Sequence, residues 1–221
     1  MNASKITLSL FVLMFVSAAI LAQENKETQY LFQNGNISIS GFGGFTTEFS
    51  SIQSEFAVLT GGGGAAIFNQ KFFFGGYGMG LSTKHNRHDL DSIVDGKNNR
   101  ISFGHGGFWI GYVHNSHKAV HFCTSAKMGW GQISIYDEYY DYKDPNEYLA
   151  KDNVFVVTPQ LEMELNLTKW LKINFAGGYR IVTGVDKSYS INGISKYFYD
   201  DSDYSGPVAN ISFLFGGFGV K

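Results

Sequence analysis

The chain has 221 residues and a formal charge of −2, so it is about one domain long and gives no electrostatic reason to expect nucleic-acid binding. Its single cysteine, Cys123, rules out an internal disulfide framework. Glycine (27) and aromatic residues (16%) are abundant and proline (3) is scarce, and beyond the amino-terminal stretch no apolar run is long enough for a membrane helix. A bilayer crossing by the rest of the chain would need a closed barrel, because lipid cannot satisfy an open sheet edge.

The sequence opens with Lys5 and the apolar stretch 6–21, ITLSLFVLMFVSAAIL, followed by small residues and then QENKETQ. The apolar run is shorter than the ~18–20 residues of a membrane helix. With the positive start and Ala22 before Gln23, it predicts a cleaved signal peptide over 1–22. Cleavage after Ala19, with Ser17 at the −3 position, is a second option, and an uncleaved anchor is the alternative reading. No cysteine lies near the cleavage site to carry a lipoprotein anchor. Losing 1–22 removes Lys5 and no acid, which leaves 23–221 one charge more negative.

Residues 23–221 read as a single all-β domain with eight strands, at 35–46, 56–68, 72–83, 100–113, 119–135, 154–167, 172–185 and 206–219. Alternation is clearest in the last three. In 154–167, Phe155, Val157, Leu161, Met163 and Leu165 alternate with Thr158, Gln160, Glu162, Glu164 and Asn166. In 172–185, Ile173, Phe175, Tyr179 and Ile181 alternate with Lys172, Asn174, Ala176 and Arg180. In the final strand, Ala209, Ile211, Phe213 and Phe215 oppose Asn210, Ser212 and Leu214. Strands two to four are rich in glycine, from Gly61 to Gly107, and their sidedness is blurred. Pro159 removes a ladder donor and is expected near a rim or bulge.

Connection lengths add a second signal. Short joins at 69–71, around Asn115-Ser116 and at 168–171 alternate with long ones near 47–55, 84–99, 136–153 and 186–205. Transmembrane barrels have short periplasmic turns and long outer loops in this order, and an even strand count puts both termini on the periplasmic side. Aromatics flank these joins: Trp170 at a short turn, Tyr136, Tyr139, Tyr140 and Tyr142 at one long loop, and Tyr197, Phe198, Tyr199 and Tyr204 at another. Aromatic girdles mark both membrane interfaces of such barrels. Together these features predict an antiparallel up-and-down transmembrane β-barrel.

The stretch VTPQLEMELNLTKWLKINFAGGYR (157–180) resembles the penultimate hairpin of small, porin-like outer-membrane barrels of Bacteroidetes. GGGGAAIFNQKFFFGGYGMGLS (61–82) and GGFWIGYVHNSHKAVHF (106–122) are similar to their earlier hairpins. The resemblance covers most of 23–221 and implies an eight-stranded barrel in the outer membrane, inserted by the barrel-assembly machinery and surrounded by outer-membrane lipid. Its motifs mark architecture and not chemistry.

On this reading Lys127, Glu162, Glu164, Lys172 and Arg180 face inward. Eight strands leave an interior that side chains fill, and buried charges must pair, so these five are expected to form an ion-paired plug. Val157, Leu161, Leu165, Ile173, Phe175, Ile211 and Phe213 are expected to face lipid. Tyr139, Tyr140, Tyr142, Tyr197 and Tyr199 are candidate contacts for a sugar or protein partner of the outer loops. His114, His117 and His121 straddle a turn and a strand, and His85, His88, Asp89 and Asp91 lie in a long loop. Neither set has metal-ligand spacing, so no metal is assigned. The acidic stretch 137–153 lacks a calcium-loop spacing, and Gly61–Gly64 lacks the Lys-Ser/Thr of a phosphate loop. No cofactor and no catalytic residue is assigned.

The expected function is therefore that of a non-enzymatic outer-membrane barrel that strengthens the envelope or displays loops for binding. One alternative is a lipid-modifying enzyme, which needs Ser, His and a carboxylate together at an outer rim. Ser116 with His117, or Ser82 or Ser92 with His85 and Asp89, are the nearest matches. The other is a soluble periplasmic calycin-like barrel with an apolar ligand inside. Alternation alone does not separate it from a membrane barrel, because inside-out barrels share the same period.

Overall fold

In the computed structural model, residues 37–85, 99–137, 148–185, 188–191, 194–197 and 200–218 are described. The chain divides into two units, Met1–Ile37 and Ser38–Lys221, and the second holds all the strands described below. The proposed signal peptide, 1–22, lies outside the described residues.

The strands are β1 (Ile39–Ile52), β2 (Glu55–Phe68), β3 (Phe72–Leu81), β4 (Asn99–His114), β5 (Val120–Asp137), β6 (Tyr148–Asn166), β7 (Leu171–Thr183), β8 (Ser188–Ile191), β9 (Ile194–Tyr197) and β10 (Gly206–Gly217). One helical turn, α1 (Asp201–Tyr204), precedes β10. Each barrel strand pairs with the next, and β10 pairs with both β7 and β1, so eight antiparallel strands close into a barrel. β8 and β9 form a separate hairpin within the β7–β10 connection. The barrel begins and ends at the same rim, where the turns after β2, β4 and β6 also lie.

The opposite rim corrects the reading of the first long loop. Residues 47–52 continue β1, with Glu48 opposite both Leu59 and Asn210, and the chain reverses at Gln53-Ser54 alone. Both turn residues have positive φ, 53° and 65°, the backbone of a type I′ hairpin turn. TTEFSS reads as a loop because its polar residues alternate with few apolar ones, yet an inside-polar barrel accepts that composition in a strand. β6 likewise starts at Tyr148, so residues 148–153 belong to a strand rather than to the acidic loop.

Pro159 lies mid-strand, which corrects the expected rim or bulge. The β6–β7 ladder pairs Val157 with Ile181, skips Thr158 and Pro159, and resumes at Gln160 with Gly178 in the same register. A missing N–H thus interrupts pairing without adding a residue. The register shift occurs instead at Ile135/Tyr136 of β5.

Period two then sorts every strand into two faces. The inner face holds two kinds of filling. Toward β1–β4 it is aromatic: Phe42, Phe73 and Trp109 meet edge to face with centroids 5.4–5.6 Å apart. Gly111 makes this possible, since a Cβ there would overlap the Phe73 ring. Toward β5–β7 it is charged.

Candidate functional site

The inner faces of β5, β6 and β7 bring three charged layers together. Pairing of β5 with β6 sets His121 opposite Glu164 and Cys123 opposite Glu162, and pairing of β6 with β7 sets Glu164 opposite Asn174 and Asn166 opposite Lys172. Lys172 is thus a diagonal neighbour of Glu164, close enough for long side chains to meet.

At the rim with the short turns, Glu164 Oε2 accepts from Lys172 Nζ at 2.8 Å and lies 2.9 Å from His121 Nε2. His121 Nδ1 donates to the Lys118 carbonyl at 3.1 Å. The Lys172 ammonium sits over the Phe218 ring, 4.3 Å from its centroid. One layer inward, Glu162 accepts hydrogen bonds from the Ser125 hydroxyl and the Asn174 amide. Lys127 lies over Trp109 and Tyr77, 5.1 and 5.8 Å from their centroids, and Tyr77 Oη is 3.1 Å from His105 Nδ1. At the opposite rim, Arg180 Nη1 donates to Glu48 Oε1 at 2.8 Å. Its Nε and Nη2 donate to the carbonyls of Tyr204 (2.8 Å) and Ser51 (3.1 Å), and Phe103 packs under the guanidinium.

All five residues of the expected plug are therefore buried on the inner face. Glu164 pairs with Lys172, while Arg180 pairs with Glu48, a residue whose sequence context suggests a loop. Glu48 and Ser125 are interior residues that sequence reasoning missed, whereas Asn174 lies on the face that alternation assigns to Lys172 and Arg180.

Val157, Leu161, Leu165, Ile173, Phe175, Ile211 and Phe213 lie on the outer wall, with Leu161 71% exposed. They do not stand alone. On β5 and β6 the outward residues are apolar, apart from Thr124, from the pair Val120/Leu165 up to the pair Trp130/Phe155. Above that edge the outward pair Gln132/Asn153 is polar and exposed. Trp130 and Phe155 pack as a T-shaped pair at the upper edge, and Trp170 stacks on Phe215 near the lower one.

Tyr139, Tyr140, Tyr142 and Tyr199 lie outside the described residues, and Tyr197 ends β9. His88, Asp89 and Asp91 also lie outside them. His114 and His117 are exposed while His121 points into the barrel, so these three histidines do not converge. His85 has other partners: Thr83 Oγ1 is 2.9 Å from its Nε2, and its Nδ1 is 3.2 Å from Glu55 Oε2. That order matches a nucleophile, base and acid. The Thr83 oxygen, however, also accepts from the Val58 amide at 3.1 Å, which extends the β2–β3 pairing beyond Leu81. Ser82 bonds Thr60 instead, at 2.6 Å.

No family model matches the chain, and no curated protein matches it either. Among solved structures it is similar to Neisserial surface protein A, with 8% identity and a TM-score of 0.46 over 83% of this chain and 99% of that one. It is also similar to a major outer membrane protein from Thermus thermophilus, with 9% identity and a TM-score of 0.44 over 79% and 98%. Ail, the attachment invasion locus protein of Yersinia pestis, follows with 9% identity and a TM-score of 0.40 over 80% and 94%. Overlaps this loose carry no inference about role.

Proposed function

We propose that the chain is an integral β-barrel of the bacterial outer membrane, without enzymatic activity, that strengthens the envelope or presents its long loops for binding. The inverted barrel wall carries this reading: charges inside, an apolar band outside. Val120 and Trp130 are ten residues apart on β5. At ~3.3 Å per residue that is roughly 33 Å of strand, and at the ~40° tilt of such barrels about 25 Å across the membrane, the height of an outer-membrane apolar band. In water the same band would be an apolar surface far larger than monomers expose.

A calycin-like barrel needs the reverse orientation, with Glu162, Glu164, Lys172 and Arg180 outside; all four are buried within. For a lipid-modifying enzyme, Thr83 and His85 lie beyond β3 on its inward phase, away from the lipid face, and the Thr83 oxygen serves strand pairing. The stretches resembling Bacteroidetes barrels support an origin in that group, with periplasmic termini after signal-peptide removal. Tyr139, Tyr140, Tyr142, Tyr197 and Tyr199 are the loop residues we assign to partner contact, since tyrosine is favoured at contact surfaces.

Fractionation with gel mobility tests the proposal. The expressed protein should be recovered in the outer-membrane fraction and should migrate differently unboiled and boiled. Release into the soluble periplasmic fraction with no mobility shift would overturn it.

A further inference from the structure

We infer that His121, Cys123 and Glu164 form a binding site for a borderline divalent metal ion of the zinc type, inside the barrel near the short-turn rim. The three side chains are buried, and one ligand atom from each lies within 4.8 Å of the others. Two strands supply them: His121 and Cys123 are two apart on β5 and so share its inner face, and Glu164 stands opposite His121 on β6.

The bonding of His121 points to a cation. Its Nδ1 faces the Lys118 carbonyl, which can only accept, so Nδ1 carries a hydrogen. In the neutral ring Nε2 then presents a lone pair, and it does so 2.9 Å from a Glu164 oxygen. Two acceptors at that distance need a positive centre between them, either a second ring proton or a metal ion. Cys123 sulfur beside the pair favours the metal, because thiolate, imidazole and carboxylate together are a zinc ligand set. A backbone carbonyl on the far ring nitrogen is also the usual way a metal-binding histidine is held.

Bonds of ~2.0–2.3 Å around a tetrahedral ion place ligand atoms roughly 3.3–3.6 Å apart, so side-chain adjustments of about an ångström complete the geometry. The Cys123 proton leaves to solvent on binding. Lys172 keeps its bond to the carboxylate as an outer hydrogen bond. A recess of about 720 Å³ lined by Ser116, Ala119, Asn166 and Phe218 opens at the same rim.

The test uses the whole barrel, folded in detergent and shown to be heat-modifiable, titrated with Co²⁺ and then Zn²⁺. We expect one equivalent of Co²⁺ to give a near-ultraviolet thiolate-to-cobalt charge-transfer band that Zn²⁺ abolishes. C123S, which keeps size and fold, should lose that band, and H121Q should bind at least tenfold more weakly. No band in the folded wild type would overturn the inference, as would Zn²⁺ binding of equal strength in C123S. Both outcomes are independent of whether the barrel sits in a membrane.

Discussion

The buried pair of Glu48 and Arg180 gives the sharpest quantitative test of the interior. Arg180 is 0% exposed and Glu48 1%, at 2.8 Å. Replacing Glu48 by Ala leaves the guanidinium bonded to the carbonyls of Tyr204 and Ser51, which accept its hydrogens without neutralising its charge. An uncompensated buried charge costs about 3–5 kcal/mol, so E48A should lose that much stability. Adding R180M removes the stranded charge. It also strips the two carbonyls of their donor, at about 1–3 kcal/mol each where they stay dry. The double variant should therefore recover part of the loss, and the cycle should give a coupling of at least about 2 kcal/mol. Urea unfolding of the refolded barrel in vesicles, followed by tryptophan fluorescence, measures all four corners. An E48A variant within about 1 kcal/mol of wild type, or a coupling near zero, would refute the pairing and with it the extension of β1 through residues 47–52.

The outer wall and the hairpin make further predictions. Leu161→Arg should cost about 2–4 kcal/mol in vesicles, while Gln132→Arg, outward but above the apolar band, should cost about 1 kcal/mol or less. Equal costs would contradict an apolar band that ends at Trp130. The turn at Gln53-Ser54 has positive φ at both residues with neither Gly nor Asn present, so Q53N with S54G should stabilise by roughly 0.5–1 kcal/mol in the same urea titration. A loss of stability would mean the turn is not type I′. Purified protein in planar bilayers should show no large steady conductance, because aromatic and charged side chains fill the lumen; a nanosiemens-scale open channel would refute the filled interior.

The sequence makes β6, β7 and β10 legible because their apolar residues recur strictly at every second position. β1 is half legible: its outer portion carries polar residues on both faces, Thr47 and Ser51 outward against Thr46 and Glu48 inward, and so lacks the contrast that period two depends on. Glu48 escapes sequence reasoning for that reason. Charged inner residues of β5–β7 can be read from alternation, but their partners follow from register, which pairs His121 with Glu164 across 43 residues and Arg180 with Glu48 across 132. No local pattern encodes such distances. The Gly-rich strands β2–β4 hide their sidedness because glycine has no side chain to mark a face; at Gly111 a Cβ would meet the Phe73 ring, and at Gly61, Gly75 and Gly107 the backbone of the neighbouring strand.

Tryptophan depth measurement addresses the membrane claim most directly. The chain has three tryptophans. Trp130 is 66% exposed on the outer wall, and Trp109 is 3% exposed inside the barrel. Single-tryptophan variants, with the other two changed to Phe, would be refolded into vesicles carrying bromine at set acyl-chain depths. A membrane-spanning barrel requires strong quenching of Trp130 by bromolipid and little quenching of Trp109. Quenching of Trp130 by aqueous iodide but not by bromolipid would contradict it.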